Sequence, residues 1–258
     1  MGRILVTSDW HFCHDREFIW KARGFASVEA MNNDIITKHN YVVQPGDDVY
    51  VLGDLMLGDS AAGIECVAKL NGQLHIVLGN HDTAHRIELY KGLPNVVEIA
   101  NVITLKYKKH HFYMSHYPTL TGNLEKESLT QMTLNLFGHT HQKTDFYMDM
   151  PYMYHVGVDS HSCFPVALDD VILQMHNKVK ECKEFLDEPD DEKTSDVGLG
   201  QEEGYKAHLE PRRDFINEKC DKCVWYCTSC SGPIRFGEPR CPIGQSYKRD
   251  PPDGGYYG

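Results

Sequence analysis

The chain has 258 residues, 41% of them hydrophobic and 24% charged, with a formal net charge of −11 at pH 7. That length accommodates one domain with a sizeable core and a small appendage. No run approaches the roughly 20 apolar residues needed to cross a bilayer, and a strand-like Arg3-Ile4-Leu5-Val6-Thr7 opens the chain, so a soluble intracellular (cytoplasmic) protein is expected. The charge excludes strong non-specific binding to a nucleic-acid backbone, because residues 1–182 and 183–219 each carry −6 while residues 220–258 carry +1, and little counterion release is available.

In chain order, apolar runs predict strands at Arg3 to Ser8, Asp48 to Gly53, Gln73 to Gly79, Val102 to Tyr107, His111 to Ser115, Leu134 to Phe137 and Tyr154 to Val158. Between the first two, Ser27 is the expected N-cap of a helix with Met31, Ile35 and Ile36 facing inward, and Pro45-Gly46 beyond its end. A second helix is expected from Ser60 to Leu70, stopped by Asn71-Gly72, and a third from about Val171 to Leu186. Basic Lys106 to Lys109 reads as a hairpin turn between two strands. The alternation of strands and helices is that of an α/β domain over residues 1–186, followed by an acidic, glycine-containing linker at 187–214 and a cysteine-rich module at 215–258.

Several strands stop the same way. Ser8-Asp9, Gly53-Asp54, Gly79-Asn80, Ser115-His116 and Gly138-His139 each put a ligand-capable residue just after an apolar run. Strands that end together place these loops on one edge of a sheet, where α/β proteins bind ligands. The resulting set, Asp9, His11, Asp54, Asn80, His116, His139 and His141, offers only nitrogen and oxygen donors, which suit Mn, Fe, Zn, Ni or Co and argue against a closed thiolate zinc site. Any one histidine among 15 is more often structural; the joint order of Asp-x-His, Gly-Asn-His-Asp and Gly-His-x-His is not what chance supplies.

These motifs resemble the calcineurin-like metallophosphoesterases over about residues 3–172. The resemblance implies two facing mixed β-sheets flanked by helices and two divalent metal ions, one held by Asp9, His11, Asp54 and His141, the other by Asp54, Asn80, His116 and His139. It further implies His81 as the phosphate contact and general acid, with Asp82 orienting it. The implied chemistry is direct attack on phosphorus by a water activated between the ions. The phrases Arg23 to Asn32, Asp48 to Asp54 and Val156-Gly157-Val158-Asp159 resemble the small bacterial and phage-type branch. Gly53-Asp54 runs into Leu55-Met56-Leu57-Gly58 rather than the Asp-Arg-Gly stretch usual in protein phosphatases.

Cys13 stands where the branch often has glycine, so a shifted loop is expected if that position needs a left-handed backbone. His14 is a candidate contact to substrate phosphate, with a solvent-facing histidine as the equal alternative. Arg16, Arg23 and Arg86 are read as surface or helix-pairing residues. In the tail, Cys220, Cys223, Cys227, Cys230 and Cys241 form Cys-x-x-Cys knuckles that favour one structural zinc, on Cys223, Cys227, Cys230 and Cys241 or alternatively on the first four. The expected partners are a small phosphorylated or nucleotide substrate and, through the tail, a protein or another part of the chain. A phosphodiesterase is favoured; a phosphomonoesterase and a non-catalytic metal-bearing scaffold are the alternatives.

Overall fold

A computed structural model describes residues 2–187, with side chains described through residue 182. The linker and the cysteine module lie outside the described residues, and with them the expected zinc site.

Two sheets form the body. The first runs β1 (Ile4–Thr7), β2 (Asp48–Leu52), β3 (Gln73–Val77) and β4 (Val96–Ala100) in parallel, with β9 (Val166–Ala167) antiparallel on the far side of β1. In the second, β5 (Val102–Tyr107) pairs antiparallel with β6 (His110–Ser115), and β6, β7 (Thr133–Phe137) and β8 (Met153–His155) are parallel. Both sheets are mixed, as the α/β sandwich expectation required.

Strand alternation explains the two cores, because successive side chains leave a strand on opposite faces. Leu5, Val49, Val51, Leu74 and Ile76 turn toward one cluster with Met31, Ile35 and Val67 of the helices α2 (Val28–Val42) and α3 (Ser60–Val67). Val6, Tyr50, Leu52 and Val77 turn the other way, against Phe112, Met114, Leu134, Leu136 and Tyr154 of the second sheet and Leu168, Val171 and Met175 of α5 (Leu168–Asp187). The sheets are thus joined by a continuous apolar layer, which fixes the relation between their strand ends.

Ser27 caps α2, its hydroxyl accepting the Ala30 N–H at 3.2 Å, and Met31 and Ile35 are fully buried while Ile36 is half-buried. The expected helix from Ser60 ends at Val67, three residues early; the chain tightens there, with Lys69 and Leu70 amides donating to the Cys66 and Val67 carbonyls. The run Tyr154 to Val158 is a strand only to His155. Beyond it the chain crosses between sheets, the Val156 amide donating to Phe137 of the second sheet and the Val158 amide to Ser8 of the first. Lys108 and Lys109, at φ 46° and 71°, make the hairpin turn between β5 and β6. Two short helices, α1 (Glu17–Trp20) and α4 (Ala84–Lys91), and the strands β4 and β9 were not legible in the hydrophobic pattern.

Candidate metal centre

The loops after β1, β2, β3, β6 and β7 converge at one edge of the sandwich and bring all seven ligand candidates together. Asp9, His11 and His141 each place one ligand-capable atom within 4.8 Å of the others, and Asp54, His116 and His139 do the same. Asp54 sits between the sets: its Oδ2 is 3.4 Å from His116 Nε2, 3.6 Å from His11 Nε2 and 3.9 Å from His81 Nε2. Asn80 belongs to the second set, its Oδ1 lying 3.0 Å from both His116 Nε2 and His139 Nδ1.

The backbone is bent to make this convergence. Asp9, His11, Asp54, His139 and His141 all take left-handed φ values between 48° and 66°. Each such residue costs on the order of 1–3 kcal/mol, and clusters of them mark sites where aim outweighs local comfort. The bends are held by the Asp9, His11 and Phe12 amides donating to Gly53, Asp54 and Leu55 carbonyls, each at 3.0 Å. Cys13 is also left-handed, at φ 63°, so the position does ask for a glycine-like conformation. In that conformation the Leu57 amide donates to the Phe12 carbonyl at 3.0 Å and the Cys13 amide to Asn32 Oδ1 at 3.2 Å. Burial, then the nearby Cys66, pushes the Cys13 thiol up to about 11, so it stays protonated at neutral pH.

Two glycines are required by close approach rather than by φ. A Cβ on Gly79 would lie 2.2 Å from Asp54 Oδ1, and one on Gly138 would lie 2.0 Å from Ser8 Oγ and 2.4 Å from Asp9 Oδ2. The glycine of each motif therefore leaves room for the ligand of another.

Second contacts fix the imidazoles. His116 Nδ1–H donates to the Leu52 carbonyl at 2.7 Å and His141 Nδ1–H to Asp159 Oδ2 at 2.8 Å, so in the neutral rings both Nε2 lone pairs face the centre. His11 Nε2 and His141 Nε2 then oppose one another at 3.1 Å, and His11 Nδ1 is buried without a partner. Burial alone would depress His116, but its bond to Asp54 and the charges of Asp9 and Asp54 outweigh it and push the imidazole up to about 9. Burial raises the Asp9 carboxyl, and burial, followed by His141, lowers His11 well below its ordinary value. A pocket that protonates one histidine, with two carboxylates crowded by inward-facing imidazoles, has the electrostatics a cation would satisfy. The residues fit a pair of divalent ions: Asp9, His11, Asp54 and His141 for one, Asp54, Asn80, His116 and His139 for the other.

His81 stands at the mouth, its side chain 38% exposed and its ring 5.5 Å from that of His11. Its amide donates to Asp54 Oδ1 at 2.9 Å and its carbonyl accepts from Arg86. Asp82, expected to orient the His81 ring, makes no hydrogen bond to it. Its carboxylate accepts the amides of Gly79 (2.8 Å) and Asp54 (2.9 Å) and the Tyr90 hydroxyl (2.7 Å), and so ties the loop after β2 to the loop after β3. The reason is burial: Asp82 points inward, where strand-end amides need acceptors. His14 is buried, its ring 5.6 Å from that of His11 and its Nδ1 unpartnered; burial, then His81, pushes it down to about 4.

Two of the arginines read as surface or helix-pairing residues are neither. The Arg23 side chain is buried, donating from Nε and Nη2 to Asp159 at 3.0 and 2.8 Å, from Nη1 to the Trp10 carbonyl at 3.1 Å and from Nη2 to the Asp9 carbonyl at 2.8 Å. Arg86 is also buried. Only Arg16 is exposed as expected. Asp159 and Tyr117 were missed as site residues; Asp159 was visible only as the polar end of Val156-Gly157-Val158-Asp159. Tyr117 is 48% exposed with its ring 4.7 Å from His139 and 5.1 Å from His116. An isolated tyrosine after a ligand histidine carries no spacing signal.

A sandwich of two mixed sheets with a nitrogen and oxygen donor cluster at the strand ends defines a metal-centred α/β domain. The sequence profile of the calcineurin-like phosphoesterase superfamily domain matches residues 3–157, and the chain belongs to that superfamily. An uncharacterised protein of Methanocaldococcus jannaschii is 40% identical over 84 residues, 32% of this chain and 48% of that protein, so the chain spans about half the length of the curated relative it matches. A protein of unknown function from Aquifex aeolicus has a similar fold, with a TM-score of 0.52 at 22% identity over 67% of this chain and 99% of that one. A novel archaeal phosphodiesterase superposes more loosely, with a TM-score of 0.35 at 20% identity over 60% and 82% of the two chains. Among the described residues no helix is long and apolar enough to cross a membrane.

Proposed function

We propose that the chain is a metal-dependent hydrolase of phosphoesters, acting on a phosphodiester of a nucleotide-like substrate. The observation that carries this reading is the position of Asp54, whose one oxygen faces histidines of both donor sets while the other is held by the His81 amide. When bound, a pair of divalent ions supplies positive charge to the phosphoryl oxygens and lowers the pKa of an attacking water. The protein's own part is to gather seven donors, with His116 and His141 held by their Nδ1–H bonds, and to present His81 at the open side, where a leaving-group oxygen would need a proton. His14 is assigned a contact from a ring N–H to a phosphoryl oxygen, a reading supported by its unpartnered Nδ1 and its ring 5.6 Å from that of His11.

Two features favour a nucleotide-like diester. The sequence after Asp54 departs from the protein-phosphatase pattern, in the manner of the compact branch that often accepts diesters, and the half-exposed Tyr117 ring offers a stacking face beside the second donor set. The test is hydrolysis of a chromogenic phosphodiester and the matching monoester by manganese-reconstituted and metal-stripped protein. Manganese-dependent turnover of the diester above the monoester is expected. Preference for the monoester would replace the diesterase with a phosphatase, and no turnover of either, with both ions bound, would leave the scaffold reading.

A further inference from the structure

The geometry points to Arg23 and Asp159 as positioning residues that act first on one half of the metal centre, the half formed by Asp9, His11 and His141. The inference rests on the proposed two-ion site and adds an asymmetry to it.

Asp159 follows the crossover from β8, and its side chain is 5% exposed; that of Arg23 is 2% exposed, so the ion pair between them is buried, with the exposed Lys143 reaching Asp159 Oδ1 from outside at 3.5 Å. A buried pair of this kind is retained only where its geometry satisfies both partners, and here it does. The guanidinium fork grips both carboxylate oxygens, Nε to Oδ1 at 3.0 Å and Nη2 to Oδ2 at 2.8 Å. Asp159 Oδ2 in turn accepts His141 Nδ1–H at 2.8 Å, which sets the tautomer that turns the Nε2 lone pair toward His11. The same guanidinium donates to the carbonyls of Asp9 and Trp10, inside the left-handed turn that aims Asp9 and His11. One arginine therefore governs His141 through Asp159, and Asp9 and His11 through their backbone.

Among the described residues no buried arginine–carboxylate pair stands behind the other half. His116 is fixed by the Leu52 carbonyl, Asn80 by contacts to His116 and His139, and the loop that carries it by Asp82 and Tyr90. None of these contacts involves Arg23 or Asp159; the one link is the His139 amide, which donates to the Asp9 carboxylate at 2.9 Å and so meets the Arg23-held turn through its backbone only. Loss of the ion pair should accordingly reach the ion at Asp9, His11 and His141 first and the other much less, whereas a general loosening of the fold would reach both alike.

Manganese binding to the full-length, metal-stripped protein, followed by calorimetry and by the EPR signal of free Mn²⁺, tests this. Asp159→Asn, isosteric but uncharged, is expected to weaken one of two binding events about 10–100-fold, the range for outer contacts to ligating histidines, and to weaken the other by a clearly smaller factor. Arg23→Lys keeps the charge without the fork, and is expected to weaken the same event by a smaller factor; it also serves if Asp159→Asn does not fold. Equal weakening of both events, or weakening of neither, in a variant with wild-type circular dichroism overturns the inference. Failure of the wild-type protein to bind two ions would instead overturn the metal centre itself.

Discussion

The Cα of Gly79 faces the Asp54 carboxylate so closely that a methyl group there would stand 2.2 Å from Oδ1 and 2.6 Å from the Asp54 amide. Gly79→Ala must displace either the shared carboxylate or the loop carrying Asn80 and His81. The expected outcome is loss of most metal-dependent hydrolysis with the helices intact, checked by turnover and far-UV circular dichroism on the same sample. An alanine variant with full activity would show that Asp54 is not held where the chemistry needs it.

His81 is fastened by its backbone and free at its ring, the arrangement of a group that must reach substrate. His81→Ala is expected to lower kcat about 10²–10⁴-fold on a diester with a poor alkoxide leaving group, and much less on a nitrophenolate ester, which leaves without a proton. Metal affinity should not change. Equal losses on both esters would point to phosphate binding rather than proton transfer.

The proposed nucleotide reading predicts that Tyr117 affects base binding and not phosphate chemistry. Stacking on an aromatic side chain contributes about 1–3 kcal/mol per base, so Tyr117→Ala is expected to raise KM for a nucleotide diester about 5- to 150-fold, with kcat nearly unchanged and Tyr117→Phe close to wild type. A KM unaffected by alanine would remove the stacking face from the account.

Much of this centre is legible in the sequence, for a physical reason. Ligands that must converge from five strand ends leave the same local signature five times, an apolar run ended by a polar residue, and Asp9, Asp54, Asn80, His116 and His139 all bear it. Arg23 and Asp159 act through contacts 136 residues apart in sequence, and a long-range ion pair leaves no periodicity or spacing to read. Asp82 shows the complementary limit. Its neighbourhood was clear from the motif, but its direction was set by which strand-end amides lacked acceptors, and only the fold decides that. The two-residue β9 and the one-turn α1 failed to register because each is too brief for a periodic pattern, and β9 owes its place to pairing with β1; β4, as long as β2, failed because this edge strand has exposed Val97 and Glu98 at its centre and no fully buried residue.

His39 makes stability depend on pH away from the metal centre. It is 1% exposed, donates Nε2–H to the Asn71 carbonyl at 2.9 Å and meets the Trp10 ring edge-on, and burial pushes it down to about 4. Between that value and the ordinary 6.5 the unfolded chain binds a proton the folded one refuses, so the histidine's contribution is complete above pH 6.5 and is lost as pH falls toward 4. The expected slope is up to about 1.4 kcal/mol per pH unit within that window. Urea unfolding of metal-free protein from pH 7 to 4.5 should give a shallower dependence for His39→Gln than for wild type; parallel curves would contradict the assignment.

The most direct test of the shared carboxylate is the EPR spectrum of the protein loaded with two equivalents of manganese. Two ions joined by Asp54 are predicted to give an exchange-coupled signal, replaced in Asp54→Asn by weaker binding and uncoupled Mn²⁺, together with loss of hydrolysis. Two tightly bound but magnetically isolated ions in the wild-type protein, or full activity in Asp54→Asn, would contradict it.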